Sequence, residues 1–156
     1  MMRVDIVKIL STFFGVGYLP FCPGTWASLV GLGIFFLLRN YFVAYLCLTV
    51  AIVIIGFLVC DKAQERFGQK DASFIVIDEI AAILVLLIFV PRNLVLLIVA
   101  FLAFRALDIL KPYPIKKIEK IPGSWGIMGD DLAACFYTAA FVKLVNIFLL
   151  SGGNSG

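Results

Sequence analysis

Five carboxylates in this chain stand where a carboxylate is costly. Asp78 and Glu79 interrupt the apolar run IVIDEIAAILVLL, and Asp108 lies in FRALDILKPYP. Asp130 and Asp131 follow GSWGIMG and directly precede a further apolar stretch. Ionisable groups embedded in such segments are functional candidates by default. A buried ion pair with Arg105 would account for one or two of them, but not for five. Unpaired carboxylates repel, so a cluster persists only when protonated or neutralised by a cation. All-oxygen ligands of this kind suit Mg²⁺ or Mn²⁺ rather than a soft metal.

Arg105 and Lys111 stand beside the cluster and are suited to phosphate oxygens, the first as a fork and the second as a point charge. Pro23-Gly24-Thr25 is expected to open a helix with Thr25 as its N-cap, offering amide donors to an anion. Gly123, Gly126 and Gly129 are expected to form a flexible turn ahead of Asp130. The chain contains no histidine, which excludes Ser-His-Asp triads and histidine phosphotransfer. Water activation would then fall to a carboxylate and a metal. Cys60 and Arg66 match the C-x₅-R spacing of thiolate phosphatases. That loop lacks a glycine, however, and Asp61 and Glu65 would repel a phosphate dianion.

The elements that carry these residues are apolar. Of 156 residues, 63% are hydrophobic and 15% charged, with a mean hydropathy of +1.09. A soluble domain is nearer half apolar and a quarter charged. The four cysteines (Cys22, Cys47, Cys60, Cys135) show no paired spacing and read as small buried residues. The net charge of +3 gives no reason to expect a nucleic-acid partner. Five apolar stretches, Trp26–Leu38, Tyr41–Cys60, Phe74–Val90, Leu94–Leu110 and Leu132–Leu150, predict an all-α, polytopic membrane bundle of four to five short spans. Residues 1–150 form a single membrane-embedded domain in this reading, and 151–156 a flexible tail. Pro91-Arg92-Asn93 is expected to be the turn of a hairpin, since Arg92 and Pro91 at mid-bilayer would be costly. Ile6, Ile9, Leu10, Phe13 and Phe14 repeat at helical spacing, which predicts an N-terminal amphipathic helix on the membrane surface.

Alternating these spans puts ten of the thirteen Lys and Arg residues on or next to one side, with Arg39 and Arg92 on the other. The positive-inside rule makes the first side cytoplasmic. All ten acids lie on or beside it too. Asp61 and Glu65, with Lys62 and Arg66, read as a solvated helical extension, and Asp5 and Glu119 as solvated residues.

Four segments together, PGTWAS at 23–28, DASFIVIDEI at 71–80, FRALDILKPYPI at 104–115 and GIMGDDLAA at 126–134, make the chain resemble the phosphatidylglycerophosphatase A family along nearly its whole length. The resemblance implies a Mg²⁺-dependent, multi-pass enzyme of the inner membrane that hydrolyses phosphatidylglycerophosphate to phosphatidylglycerol and phosphate, its site facing the cytoplasm. It implies Asp78, Glu79, Asp108, Asp130 and Asp131 as the acidic site and Arg105 and Lys111 as the basic positions. Asp71 and Ser28 are further motif positions. Ala27, Leu107 and Ala134-Cys135 depart from residues common in that pattern, without removing a charge. A small transporter or ion-conducting subunit would also use intramembrane carboxylates and is the alternative. The D-x-x-D-G-x-x-A-R run of CDP-alcohol transferases is absent.

Overall fold

A computed structural model describes residues 5–68 and 73–152, and among them every regular element is helical. The α-helices are α1 (Ile6–Ser11), α2 (Pro23–Leu38), α3 (Phe42–Phe67), α4 (Ile77–Phe89), α5 (Leu94–Leu110), α6 (Ile115–Ile118) and α7 (Ser124–Gly152). A 3-10 turn at Val16–Tyr18 joins the first two.

Helix α4 occupies the centre. It packs against α2, α3 and α7, and Ile80, Ala81, Ala82, Ile83, Leu84 and Leu86 are wholly buried. Small residues let its neighbours approach closely. A Cβ on Gly31 would collide with Ile83, and one on Gly56 with Met128 on α7. Where the surrounding solvent is itself apolar, close packing of this kind does much of the work of helix association.

The turn between α4 and α5 forms as the sequence predicts. Val90 is extended, and Asn93 caps α5 by accepting hydrogen bonds from the amides of Val95 (2.9 Å) and Leu96 (3.4 Å). The two arms nevertheless make few contacts with each other, because α7 packs against both.

Among the described residues, α3 and α7 are the helices long and apolar enough to cross a bilayer on length and composition, two where the sequence predicts four to five spans. The remaining apolar stretches make shorter helices. In particular, α4 begins at Ile77 rather than Phe74 and has 13 residues, about 20 Å at 1.5 Å per residue. The outward face of α3 is apolar, with Val43 73%, Val50 49%, Ile54 53% and Leu58 66% exposed. Such a face fits lipid better than water.

The N-terminal expectation also changes. Helix α1 is six residues long and docks on α3 instead of extending through Phe14. Thr12 ends it: its hydroxyl donates to the Lys8 carbonyl (2.7 Å) and accepts from the Gly15 amide (3.2 Å). This is local side-chain competition with the helical ladder. The chain then turns through positive φ at Phe13, Phe14 and Gly15.

Candidate active site

Four helix ends meet at one end of the bundle: the starts of α2, α4 and α7, and the end of α5. Between them lies a cleft of about 420 Å³ whose walls include Gly24, Asp78, Glu79, Arg105, Asp108, Lys111, Asp130 and Asp131. The structure therefore brings together all five predicted acids, both predicted cations and Gly24. Thr25 is not among the cleft residues. Ser28, one turn further along α2, is fully buried away from the cleft, with an unpartnered hydroxyl. Asp71 lies outside the described residues.

The two acidic tandems share a local device. The Asp78 carboxylate accepts the Glu79 amide, and the Asp130 carboxylate accepts the Asp131 amide, both at 3.0 Å. Asp78 and Glu79 occupy the first turn of α4, where free amides and the helix dipole favour negative charge. Asp130 and Asp131 lie inside α7, which starts eight residues earlier than the apolar stretch that marked it. The glycines that predict a flexible turn serve packing instead. A Cβ on Gly126 would strike the Ile121 carbonyl, and one on Gly129 would press on Ile118 at 3.0 Å. Only Gly123 turns the chain, at φ +77°.

Arg105 joins α5 to α4. Its guanidinium lies 2.6 Å from Asp108 and 3.3 Å from Glu79. Lys111 is shared between Asp130 (2.7 Å) and Glu119 (2.8 Å). Burial at the cleft wall opposes its charge, but the hydrogen bonds to these two carboxylates outweigh that and push its pKa above the ordinary lysine range. Lys111 also ends α5 at φ 41°, a left-handed position that glycine usually fills. Backbone strain at a residue of this kind is characteristic of functional sites.

Three roles are not legible in the sequence. Glu119, read there as solvated, is the second partner of Lys111. Asp61 does more than extend α3: it accepts the Ser124 amide (2.6 Å) at the start of α7, while the Ser124 hydroxyl accepts the Asp61 amide (3.1 Å). Asp5 likewise caps α1 and pairs with Arg66 at 2.7 Å. In both cases the partner is 61 or 63 residues away, beyond any local pattern. The N-cap of α2 is Cys22, with no side-chain cap bond and Pro23 in the first turn, so Thr25 does not cap it. The C-x₅-R spacing builds no site, since Cys60 is buried and Arg66 is exposed and paired with Asp5.

Gly24 has a specific steric task. A Cβ there would fall on the Glu79 carboxylate, so the absence of a side chain lets Glu79 cover the start of α2 and reach Arg105. Gly24→Ala is expected to keep the helical fold and displace Glu79, lowering turnover by up to about a hundredfold, the cost of a misplacement of about 1 Å. Turnover compared with the thermal midpoint checks this; a large fall in the midpoint with turnover per folded molecule unchanged would refute it.

Among the described residues no three carboxylates converge closely enough to hold a metal ion as they stand. The donor chemistry still fits a hard divalent cation. All the donors are oxygens, and Glu79 Oε2 and Asp131 Oδ2 are buried without a hydrogen-bond partner. Arg105 Nε is a third buried, unpartnered polar atom on the same cleft. Native structures rarely leave such atoms unsatisfied.

Comparison with known proteins agrees with the resemblance in the motifs. The sequence profile described as phosphatidylglycerophosphatase A matches residues 9–146. A phosphatidylglycerophosphatase A of Haemophilus influenzae is 33% identical over 148 residues, covering 92% of this chain and 91% of that one. The phosphatidylglycerophosphatase A of Escherichia coli is 30% identical over 140 residues, covering 88% and 81%. A Bacteroides thetaiotaomicron protein with the provisional name phosphatidylinositol-3-phosphatase is 36% identical over 156 residues, covering 92% and 96%. No solved structure matches.

Proposed function

The chain belongs to the phosphatidylglycerophosphatase A family, and on that premise we propose that it is a Mg²⁺-dependent phosphatase converting phosphatidylglycerophosphate to phosphatidylglycerol and phosphate. It acts, in this proposal, at the cytoplasmic face of the inner membrane. The observation that carries the chemistry is the set of unpartnered buried atoms, Glu79 Oε2, Arg105 Nε and Asp131 Oδ2, on one acidic cleft. Acceptors and a donor left open at the same place suit a cation together with a phosphate.

We also read α2, α4 and α5 as short membrane crossings beside α3 and α7. Helix α4 needs no full bilayer length, because its neighbours enclose it. In this topology the site lies at the surface that receives most of the basic residues. No Asp or Glu occurs between residues 80 and 107 or beyond 131, so no acidic path leads across the bundle, and nothing favours the transporter alternative.

Asp78, Glu79, Asp130 and Asp131 would hold the Mg²⁺. Bound there, the ion would offset carboxylate repulsion and polarise a phosphoryl oxygen. Arg105 and Lys111 would face the phosphate oxygens from the α5 side, each held in place by two carboxylates. Hydrolysis forms a P–O bond to water and breaks the P–O bond to glycerol; the leaving alkoxide takes up a proton. With histidine absent, Glu79 Oε2 and Asp131 Oδ2 are the open carboxylate oxygens that could take the proton from water and return it to the leaving alkoxide.

Purified protein in micelles should release phosphate from phosphatidylglycerophosphate with Mg²⁺ and fall to background in EDTA, recovering when Mg²⁺ is returned. Phosphatidylinositol 3-phosphate and phosphatidic acid, run alongside, read the head-group preference that the differing names of the relatives leave open. Full activity in EDTA would overturn the metal assignment, and faster hydrolysis of another lipid phosphate would overturn the substrate.

A further inference from the structure

The opposite ends of α2 and α4 build a second recess. It has a volume of about 170 Å³, and its lining includes Arg39, Arg92, Phe35, Tyr45 and Leu87. Arg39 follows α2 and Arg92 lies in the turn after α4, so two separate connections each contribute an arginine to one recess. From the acidic cleft, α4 rises about 15 Å between Asp78 and Ile88 at 1.5 Å per residue.

The recess has two distinct parts. Its floor is apolar and closed: Phe35, Tyr45, Leu87 and Val90 are each 5% exposed or less. Tyr45 is fixed by its hydroxyl, which donates to the Leu84 carbonyl at 2.6 Å. The rim holds the two exposed arginines. Neither has a carboxylate within ion-pair distance among the described residues, and no acid occurs between residues 6 and 60 or between 80 and 107. Arg39 instead lies over the Phe36 ring, 5.6 Å from its centroid.

Two arginines lining one recess without a carboxylate leave its positive charge uncompensated, and an anion would offset it. Arginines that merely reach for the membrane surface would have no reason to share a recess. An apolar floor under a doubly cationic rim complements a molecule with an anionic head and a hydrocarbon tail.

We propose that this recess binds the phosphodiester head group of an anionic phospholipid from the leaflet opposite the catalytic cleft. Arg39 and Arg92 take the phosphate oxygens as forked donors, and the Phe35–Tyr45–Leu87 wall receives the first part of an acyl chain. The inference rests on the multi-pass reading above, not on the identity of the substrate.

Dioleoylphosphatidylserine is a suitable probe because it is anionic yet neither substrate nor product of the proposed reaction. Native mass spectrometry of the full chain should show it retained at least about tenfold more than dioleoylphosphatidylcholine, which shares the phosphodiester but has no anionic carboxylate to balance its head-group cation beside two arginines, a factor equivalent to about 1.4 kcal/mol. Arg39→Gln with Arg92→Gln should remove that preference while leaving phosphate release in micelles unchanged. Should the double Gln variant not fold, the Arg39→Lys, Arg92→Lys pair keeps the charge, loses the forks and should retain part of the preference. Equal retention of phosphatidylserine by wild type and the Gln variant would overturn the proposal. Displacement of the lipid by millimolar inorganic phosphate would overturn it in favour of a free-anion site. Loss of the lipid preference with intact phosphatase activity would support it, and an inactive wild type that keeps the preference would count against the phosphatase reading alone.

Discussion

Asp131→Asn is expected to abolish phosphate release while leaving the protein as stable as before or more so. The residue is 4% exposed, and one of its carboxylate oxygens has no hydrogen-bond partner. Its neighbours in charge are Asp78, Asp108, Asp130 and Glu79. Asparagine has nearly the same shape, so packing is preserved, and it removes one negative charge from a crowded, buried set. The folded state loses repulsion. On the proposed mechanism it also loses an open oxygen that would serve a cation or accept a proton from water. Removal of a positioned acid or base costs about 10²–10⁴ in rate, and loss of a metal ligand would add to that. Phosphate release and a thermal melt, measured on the same preparation, give the pair of numbers that matters. Activity within twofold of wild type would remove Asp131 from the site.

Arg105 should behave in the opposite way, because it holds the site together as well as serving it. It neutralises Glu79 and Asp108 with a side chain that is 12% exposed. Arg105→Leu leaves two largely buried carboxylates without a countercharge, and breaking a buried pair from one side costs about 3–5 kcal/mol. The expected result is a strongly lowered thermal midpoint and no activity. Adding Glu79→Gln and Asp108→Asn should restore much of the stability, since the uncompensated charges are gone, but none of the activity. Arg105→Lys separates the two duties. It retains the charge and most of the stability, yet an ammonium in place of Nη1, which meets both Glu79 and Asp108, has no further nitrogens to offer phosphate as a fork. Wild-type turnover in the Lys variant would show that Arg105 acts through charge alone.

How much of this was legible in the sequence depended on whether the signal was local. Asp78, Glu79, Asp108, Asp130 and Asp131 stood out because each is an acid next to an apolar run. Their common placement required only that consecutive helices reverse direction, and Pro91-Arg92-Asn93 marked one such reversal. Glu119 and Asp61 gave no such contrast. Both lie in stretches of mixed charge, where an acid is usually solvated, and only the folded chain reveals that one holds Lys111 and the other caps α7.

The start of α7 was obscured for a related reason. Glycine is a poor helix former in isolation, so Gly126 and Gly129 read as breakers. Their tolerance in α7 comes from the loop at Ile118–Ile121, which packs where a side chain would have been. Helix lengths were overestimated where apolar residues ran past the helix, as before Ile77. Hydropathy reports what a residue avoids, not whether its backbone is helical. The six-residue α1 makes the same point, since the apolar pattern continued through Phe13 and Phe14 while Thr12 had already closed the helix.

The placement of α7 between α4 and α5 has a consequence for how the protein is made. Synthesis proceeds from the N-terminus, so the glycine of α2, the tandem acids of α4 and the arginine of α5 emerge before Asp130 and Asp131. Before α7 is made, α4 and α5 are joined by the pairing of Arg105 with Glu79, and the three acids and two cations already present lack the wall that carries Asp130 and Asp131. The cleft is therefore complete only when the last helix, which carries Asp130 and Asp131, is in place.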